Sequence, residues 1–189
     1  ARENIGGTWD LFKYPGIRSD SDMHTMGFRF KPWTDPKTIA DGPSILKYLD
    51  EAIKENDLEE KIQFMKKVVS AKWSSTNANW TLIVRNTNNS LEETVTCKIL
   101  YLCGGYYNYD NGYLPEFKGY EDFEGEIIHP QHWPEDLNYE GKKVVVIGSG
   151  ATAVTIVPAM ADKVSHITML QRSPTYYMSA PDERPVDSA

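Results

Sequence analysis

The chain has 189 residues, 40% hydrophobic and 25% charged, enough for one good core or two small ones. Its formal charge of −7 argues against a nucleic-acid partner, which would need a basic face. No apolar run approaches the length needed to span a bilayer, and no apolar signal-peptide core opens the chain. With only Cys97 and Cys103, too few for a disulfide framework and without zinc spacing, the expected setting is a reducing cytoplasm, peripheral membrane association being left open.

Residues 1–36 carry glycine, proline, aspartate and aromatic residues without a sustained period. They read as a loop-dominated segment, and loops of that length in a compact domain are usually functional. Asp41 or Ser44 can cap a helix with Pro43 in its first turn; Ile45, Leu46, Leu49 and Ile53 share one face, and the helix should end near Asn56. Residues 62–73, 80–85 and 93–102 are rich in β-branched and aromatic side chains, with turn chemistry at 77–79 and 86–90 between them. That pattern predicts a three-stranded antiparallel meander within about 62–102. Residues 103–134 return to loop character.

The final third is the most regular. Residues 143–147 form a short apolar run ending in glycine, expected as a buried parallel strand. Residues 150–161 are small and apolar, expected as a helix in which Pro158 kinks or loosens one turn. Residues 167–170 give a second strand. Strand–turn–helix–strand is the beginning of a Rossmann unit, with a domain break expected near Glu140 and Gly141.

The turn itself reads Gly148-Ser149-Gly150-Ala151-Thr152-Ala153. Gly148 permits a tight turn, Gly150 lets backbone approach a pyrophosphate, and Ala153 takes the position where a small residue allows close helix–strand packing. The helix N-terminus offers free N–H groups and the positive end of its dipole to phosphates. Beyond the second strand stand Arg172 and Ser173, where an NAD site usually places an acidic residue. A guanidinium and a hydroxyl suit a ribose 2′-phosphate instead, which favours NADP.

Upstream, residues 123–134 fit F-x-G-x-x-x-H-x-x-x-W-P, carried by Phe123, Gly125, His129, Trp133 and Pro134. Together with the turn, and with the strings GGTWDL at 6–11, YPGIRSDSDM at 14–23 and GYYNYD at 105–110, the chain resembles class B flavoprotein monooxygenases of the Baeyer–Villiger type. The resemblance runs nearly end to end. It implies an α/β flavoprotein with two dinucleotide-binding domains: residues 1–140 within an FAD domain that holds the meander as an insertion, and 141–189 opening an NADP domain. It further implies FAD as cofactor, NADPH as reductant, and O₂ activated as a C4a-peroxyflavin. The oxygen would be inserted beside a ketone or placed on the sulfur of a thioether or thioamide.

Site residues follow from the same resemblance. Gly7, Thr8, Trp9, Asp10 and Leu11 match the stretch along FAD, and Val68 matches a position near its adenine. Arg18, Ser19 and Asp20 match the loop where flavin and nicotinamide meet, with Asp20 supporting a catalytic arginine. Gly148 to Ala153, with Arg172 and Ser173, match the NADP site. His129 could take part in acid–base chemistry, although a hinge or clamp role for the fingerprint is the stronger reading; His132 is an unassigned neighbour.

No glycine-rich turn precedes Gly6, and the chain does not open on methionine. The FAD pyrophosphate site is therefore expected upstream, and the catalytic arginine downstream. The chain reads as an internal fragment, inactive alone. Three other readings stand beside this one. A flavin-dependent disulfide reductase would need a closely spaced cysteine pair, whereas five residues separate Cys97 and Cys103. A non-catalytic NADP-binding module leaves the fingerprint without purpose. A sister enzyme oxidising nitrogen or sulfur shares most of the motifs.

Overall fold

The computed structural model describes residues 1–178 and Asp182. Within the N-terminal segment, two single-turn helices punctuate the loops: α1 (Thr8–Leu11) and α2 (Met23–Met26), the second capped by Asp22 accepting from the His24 N–H. The long helix α3 (Gly42–Glu55) starts where Asp41 accepts from the Ser44 N–H at 2.8 Å, with Pro43 in the first turn, and is closed by Asn56. That hydrogen bond holds the Asp41 carboxyl below its usual value.

The buried side of α3 is Gly42, Ile45, Tyr48 and Ala52, not the expected stripe of Ile45, Leu46, Leu49 and Ile53. Tyr48 makes the difference. Its ring joins Met23, Trp33, Ala40 and Ile45, while its hydroxyl accepts from the Phe28 N–H at 2.7 Å and donates to the Lys31 carbonyl. Leu49 packs against the same cluster. Leu46 and Ile53 instead line a groove shared with Ile5, Ile62 and Phe64.

The meander is present as β1 (Lys66–Ser74), β2 (Asn79–Asn86) and β3 (Glu92–Cys97), antiparallel in that order. Of β2, Leu82 and Val84 are buried. Asparagines build the second turn: Asn86 and Asn89 side chains accept from the N–H groups of Asn88 and Leu91. The first strand starts later than expected, after a single 3₁₀ turn (Glu59–Lys61) and Met65 in the left-handed region at φ 56°. The third ends at Cys97, five residues early. Residues 98–102 are apolar enough to read as strand, yet no strand runs beside them among the described residues, and Ile99, Tyr101 and Leu102 are each at least 80% exposed. A β-rich composition becomes a strand only with a partner to bond.

The nucleotide unit consists of β4 (Lys143–Ile147), α4 (Ala151–Ala161) and β5 (His166–Leu170), the strands parallel and in register from Lys143 opposite His166 to Ile147 opposite Leu170. The expectation of a fully buried first strand is corrected. Val144 and Val146 face α4, whereas Val145 is 62% exposed and Ile147 and Leu170 lie open beside it. Only one face of the pair carries a helix among the described residues, and a parallel sheet is buried on both faces only where both are covered. Helix α4 runs unbroken through Pro158, which forgoes the one hydrogen bond its nitrogen would have donated to Val154.

Phe12, Tyr14, Ile156 and Met160 form the second core, joined by Leu11, Ile17, Trp133, Tyr139, Val144, Val146, Val164 and Ile167. This cluster takes residues from both sides of the domain break expected near 140. Among the described residues no helix is long and apolar enough to cross a membrane.

The cap on α3 yields a first prediction. Replacing Asp41 by alanine should cost about 1 kcal/mol of unfolding free energy in urea titrations. Because the folded carboxyl titrates below the ordinary 3.8, its contribution is complete above about pH 4 and is lost as pH falls through the folded value. Asp41→Ala should therefore show a shallower loss of stability on acidification than the parent.

Candidate functional site

Two glycines in the turn after β4 serve different ends. Gly148 sits at φ 121°, a conformation costly for any side chain, and its N–H donates to the Leu170 carbonyl at 2.9 Å, tying the turn to β5. Gly150 caps α4 with an ordinary φ of −79°. Among the described residues, apart from the chain neighbours, no atom lies within 4 Å of where a Cβ would stand at either glycine. Neither backbone conformation nor packing against protein therefore accounts for glycine at 150. Bare backbone faces open space at the start of α4, where the first N–H groups lack intrahelical acceptors. Ala153 is buried, where a small residue lets the helix close on the strand.

Arg172 and Ser173 follow β5 and are exposed, and Arg172 makes no ion pair among the described residues. A residue that sequence reading missed stands with them. The hydroxyls of Ser149 and Thr175 are hydrogen-bonded at 2.7 Å, so the segment after β5 folds back beside the turn. Only the side-chain type of Thr175 could have signalled it.

The N-terminal residues expected along FAD are held by the protein itself. Gly6 sits at φ 98°, in the left-handed region that favours glycine, and a Cβ there would meet the flexible end of the Leu46 side chain on α3. Gly7 (φ 52°) precedes Thr8, whose hydroxyl meets that of Tyr109 at 2.8 Å. Trp9 packs on the Met23–Trp33 cluster, Asp10 pairs with Arg2, and Leu11 joins the core under α4. Val68, on β1 beside a register shift, is 49% exposed.

Arg18 and Asp20 are exposed and form no ion pair with each other. Ser19 between them is 2% exposed; its hydroxyl oxygen accepts from the Ala40 N–H and its own N–H donates to the Ala40 carbonyl. It fastens the loop, and the neighbours on either side face outward.

The fingerprint loop resolves into packing roles. The Phe123 ring folds back over Gly125, where a Cβ would approach it to 2.6 Å. The His129 imidazole lies against Gly112, and its Nδ1 accepts from the Gln131 N–H at 3.2 Å, capping the 3₁₀ turn Pro130–His132. Gln131 is buried and donates its amide to the Asn108 carbonyl. Trp133 enters the core edge-on to Tyr139 at 6.1 Å. His132 is exposed. His129 thus acts here as a cap and spacer.

Beneath α4, Tyr14 is 9% exposed and packs with Phe12, Ile156 and Met160. Burial pushes its phenol up, with the Asp20 charge adding to the effect. Tyr107, hydrogen-bonded to Tyr106, is pushed up to about 12. No cluster of side chains that could hold a metal ion occurs among the described residues.

The parallel strand pair around a glycine turn and the antiparallel meander make an α/β chain, and solved flavoprotein monooxygenases share its fold. The chain belongs to the flavin-binding monooxygenase-like family, whose model matches residues 28–185. It is 59% identical over 186 residues to the FAD-containing monooxygenase EthA of Mycolicibacterium smegmatis, covering 98% of this chain and 37% of that protein. It is 56% identical over 181 residues to the probable FAD-binding monooxygenase AlmA of an Acinetobacter species, covering 95% and 36%. Among solved structures, a cyclohexanone-bound cyclohexanone monooxygenase in its rotated conformation superposes with a TM-score of 0.78 at 28% identity, over 98% of this chain and 36% of that one. An oxidized steroid monooxygenase bound to NADP superposes with 0.76 at 29% identity, over 93% and 33%. The chain thus spans a little over a third of the relatives it matches.

The contact of the N-terminal segment with α4 gives a second prediction. A Cβ at Gly16 (φ 74°) would stand 2.7 Å from the Ala159 Cβ and 2.9 Å from the Thr155 carbonyl. Gly16→Ala should destabilise by about 1–3 kcal/mol, read as a lowered thermal midpoint.

Proposed function

We propose that these residues form part of an FAD- and NADPH-dependent monooxygenase. Its oxidant is O₂, and its substrates are small ketones or compounds with a soft sulfur, a thioether or thioamide. The observation that carries the reading is Gly150, a glycine with ordinary backbone and, among the described residues, nothing packed where its side chain would stand, at the N-terminus of a helix that follows a parallel strand. Close approach of a pyrophosphate supplies the missing reason for it. Arg172 and Ser173, with Arg172 in no ion pair among the described residues, suit a 2′-phosphate, which supports NADPH over NADH. Family membership and the FAD- and NADP-bound relatives support the two cofactors.

When bound, the flavin supplies oxygen transfer; the protein supplies binding, orientation and exclusion of water. In this reading Gly148 to Ala153 cradle the reductant's pyrophosphate. Trp9 and Thr8 stand toward the flavin, Val68 toward its adenine, and Arg18 and Asp20 where the two cofactors meet. Residues 1–140 belong to the flavin domain and 141–189 open the reductant domain. The working compartment is the cytoplasm.

The protein expressed from its complete reading frame should carry flavin absorbance and consume NADPH in the presence of a ketone or thioether, with NADH used at least severalfold less well. A purified, folded protein without flavin and without NADPH consumption overturns the reading. Gly150→Ala should weaken NADP⁺ binding about tenfold or more while costing no more than about 1 kcal/mol of stability, because no described protein atom meets the added methyl and only the N-cap of α4 is altered. His129→Asn keeps an acceptor for the Gln131 N–H but cannot titrate. It should leave the pH profile of NADPH consumption unaltered, and loss of one limb of that profile would assign His129 a proton-transfer role instead.

A further inference from the structure

Residues 171–177 follow β5 and carry Arg172 and Ser173, at which the chain bends. The loop is tied in two places. At its base the Gln171 amide donates to the Tyr177 hydroxyl at 3.2 Å, which in turn donates to the Met169 sulfur of β5 at 3.7 Å. Further along, the Thr175 hydroxyl meets that of Ser149, inside the glycine turn, at 2.7 Å. Pro174, between the bend and Thr175, fixes its own φ and keeps Ser173 out of helical backbone. The turn is also joined to the end of β5, by the Gly148 N–H and the Leu170 carbonyl at 2.9 Å. Turn and loop are thus fastened to each other on both sides of Arg172, at Leu170 before it and at Thr175 after it.

We propose that the Ser149–Thr175 hydroxyl pair is a clasp that sets selectivity for the phosphorylated cofactor. In it Thr175 is a positioning residue: it holds the bend of Arg172 and Ser173 against the glycine turn, ready for a ribose 2′-phosphate. This rests on the reading of the turn as the NADPH site. Arg172 is exposed and makes no ion pair among the described residues, so its guanidinium is not committed to a carboxylate of the protein there. A rigid fork of donors suits a phosphate only when the backbone beneath it stands at the right distance. A loop free to swing would have to be ordered as the cofactor arrives, and that cost would be taken from affinity. The clasp orders it beforehand. The consequence is a division of tasks. The glycine turn serves the pyrophosphate, which both nicotinamide cofactors carry, and the clasped loop serves the 2′-phosphate, which only one of them has.

The test titrates the protein from its complete reading frame with two probes, 2′,5′-ADP and 5′-AMP, which differ only in the 2′-phosphate. The parent should bind 2′,5′-ADP about tenfold or more tightly than 5′-AMP. Thr175→Val keeps the shape of the side chain and removes its hydroxyl. It should weaken 2′,5′-ADP about 3–10-fold, the worth of one hydrogen bond, while 5′-AMP affinity and the thermal midpoint match the parent. Thr175→Ser keeps the hydroxyl and should bind both probes as the parent does. Ser149→Ala should lower the ratio of the two affinities as far as Thr175→Val, and the double variant should lower it no further. An unchanged ratio in Thr175→Val, equal losses for both probes, or losses that multiply in the double variant overturns the proposal. A folded parent that binds the two probes equally overturns instead the reading of Arg172 and Ser173 as a 2′-phosphate site, and one that binds neither overturns the reading of the turn.

Discussion

Everything about the candidate site depends on one apolar contact, the packing of Phe12, Tyr14 and Ile17 beneath Ile156 and Met160 of α4. Helix α4 is nearly uniform in hydrophobicity around its circumference and has no side-chain cap. Its orientation is therefore set by what it is pressed against. On one side are Val144, Val146 and Ile167 of the strand pair; on the other is a segment from the start of the chain, with Trp133 and Tyr139 completing the enclosure. The N-terminus of the helix, and the glycine turn before it, are aimed by this packing.

The fingerprint loop is understood in the same terms. Each of its residues has a contact in the fold: Gly125 makes room for the Phe123 ring, His129 caps a single turn, and Trp133 delivers an indole to the shared core. A loop with so little regular structure holds position because each of these contacts admits few substitutes. Through Trp133 it braces the core that joins residues 11–17 to α4 and the strand pair.

Much of this was legible in the sequence where local chemistry decides. Asp41 and Pro43 announced α3, the asparagine turns announced the meander, and Gly148 with Gly150 announced the strand–helix turn. What was not legible depended on partners distant in the chain. Tyr48 displaced Leu46 from the buried face because its hydroxyl found backbone at Phe28 and Lys31. Residues 98–102 have strand composition but no strand to bond. Ser19, which reads as a ligand-facing hydroxyl, is spent on Ala40. Gly6 and Gly16 look like cofactor glycines in one dimension; in three, Gly6 answers a left-handed backbone and Gly16 a tight contact.

Gly16 carries a mechanical consequence. With its backbone seated on the Thr155 carbonyl and Ala159, and Tyr14 two residues away in the core, residues 12–17 and α4 have no clearance to slide past one another. They form one rigid body, whose edge follows the apolar contact rather than the order of the chain. Any swing of the nucleotide unit must carry this stretch as ballast.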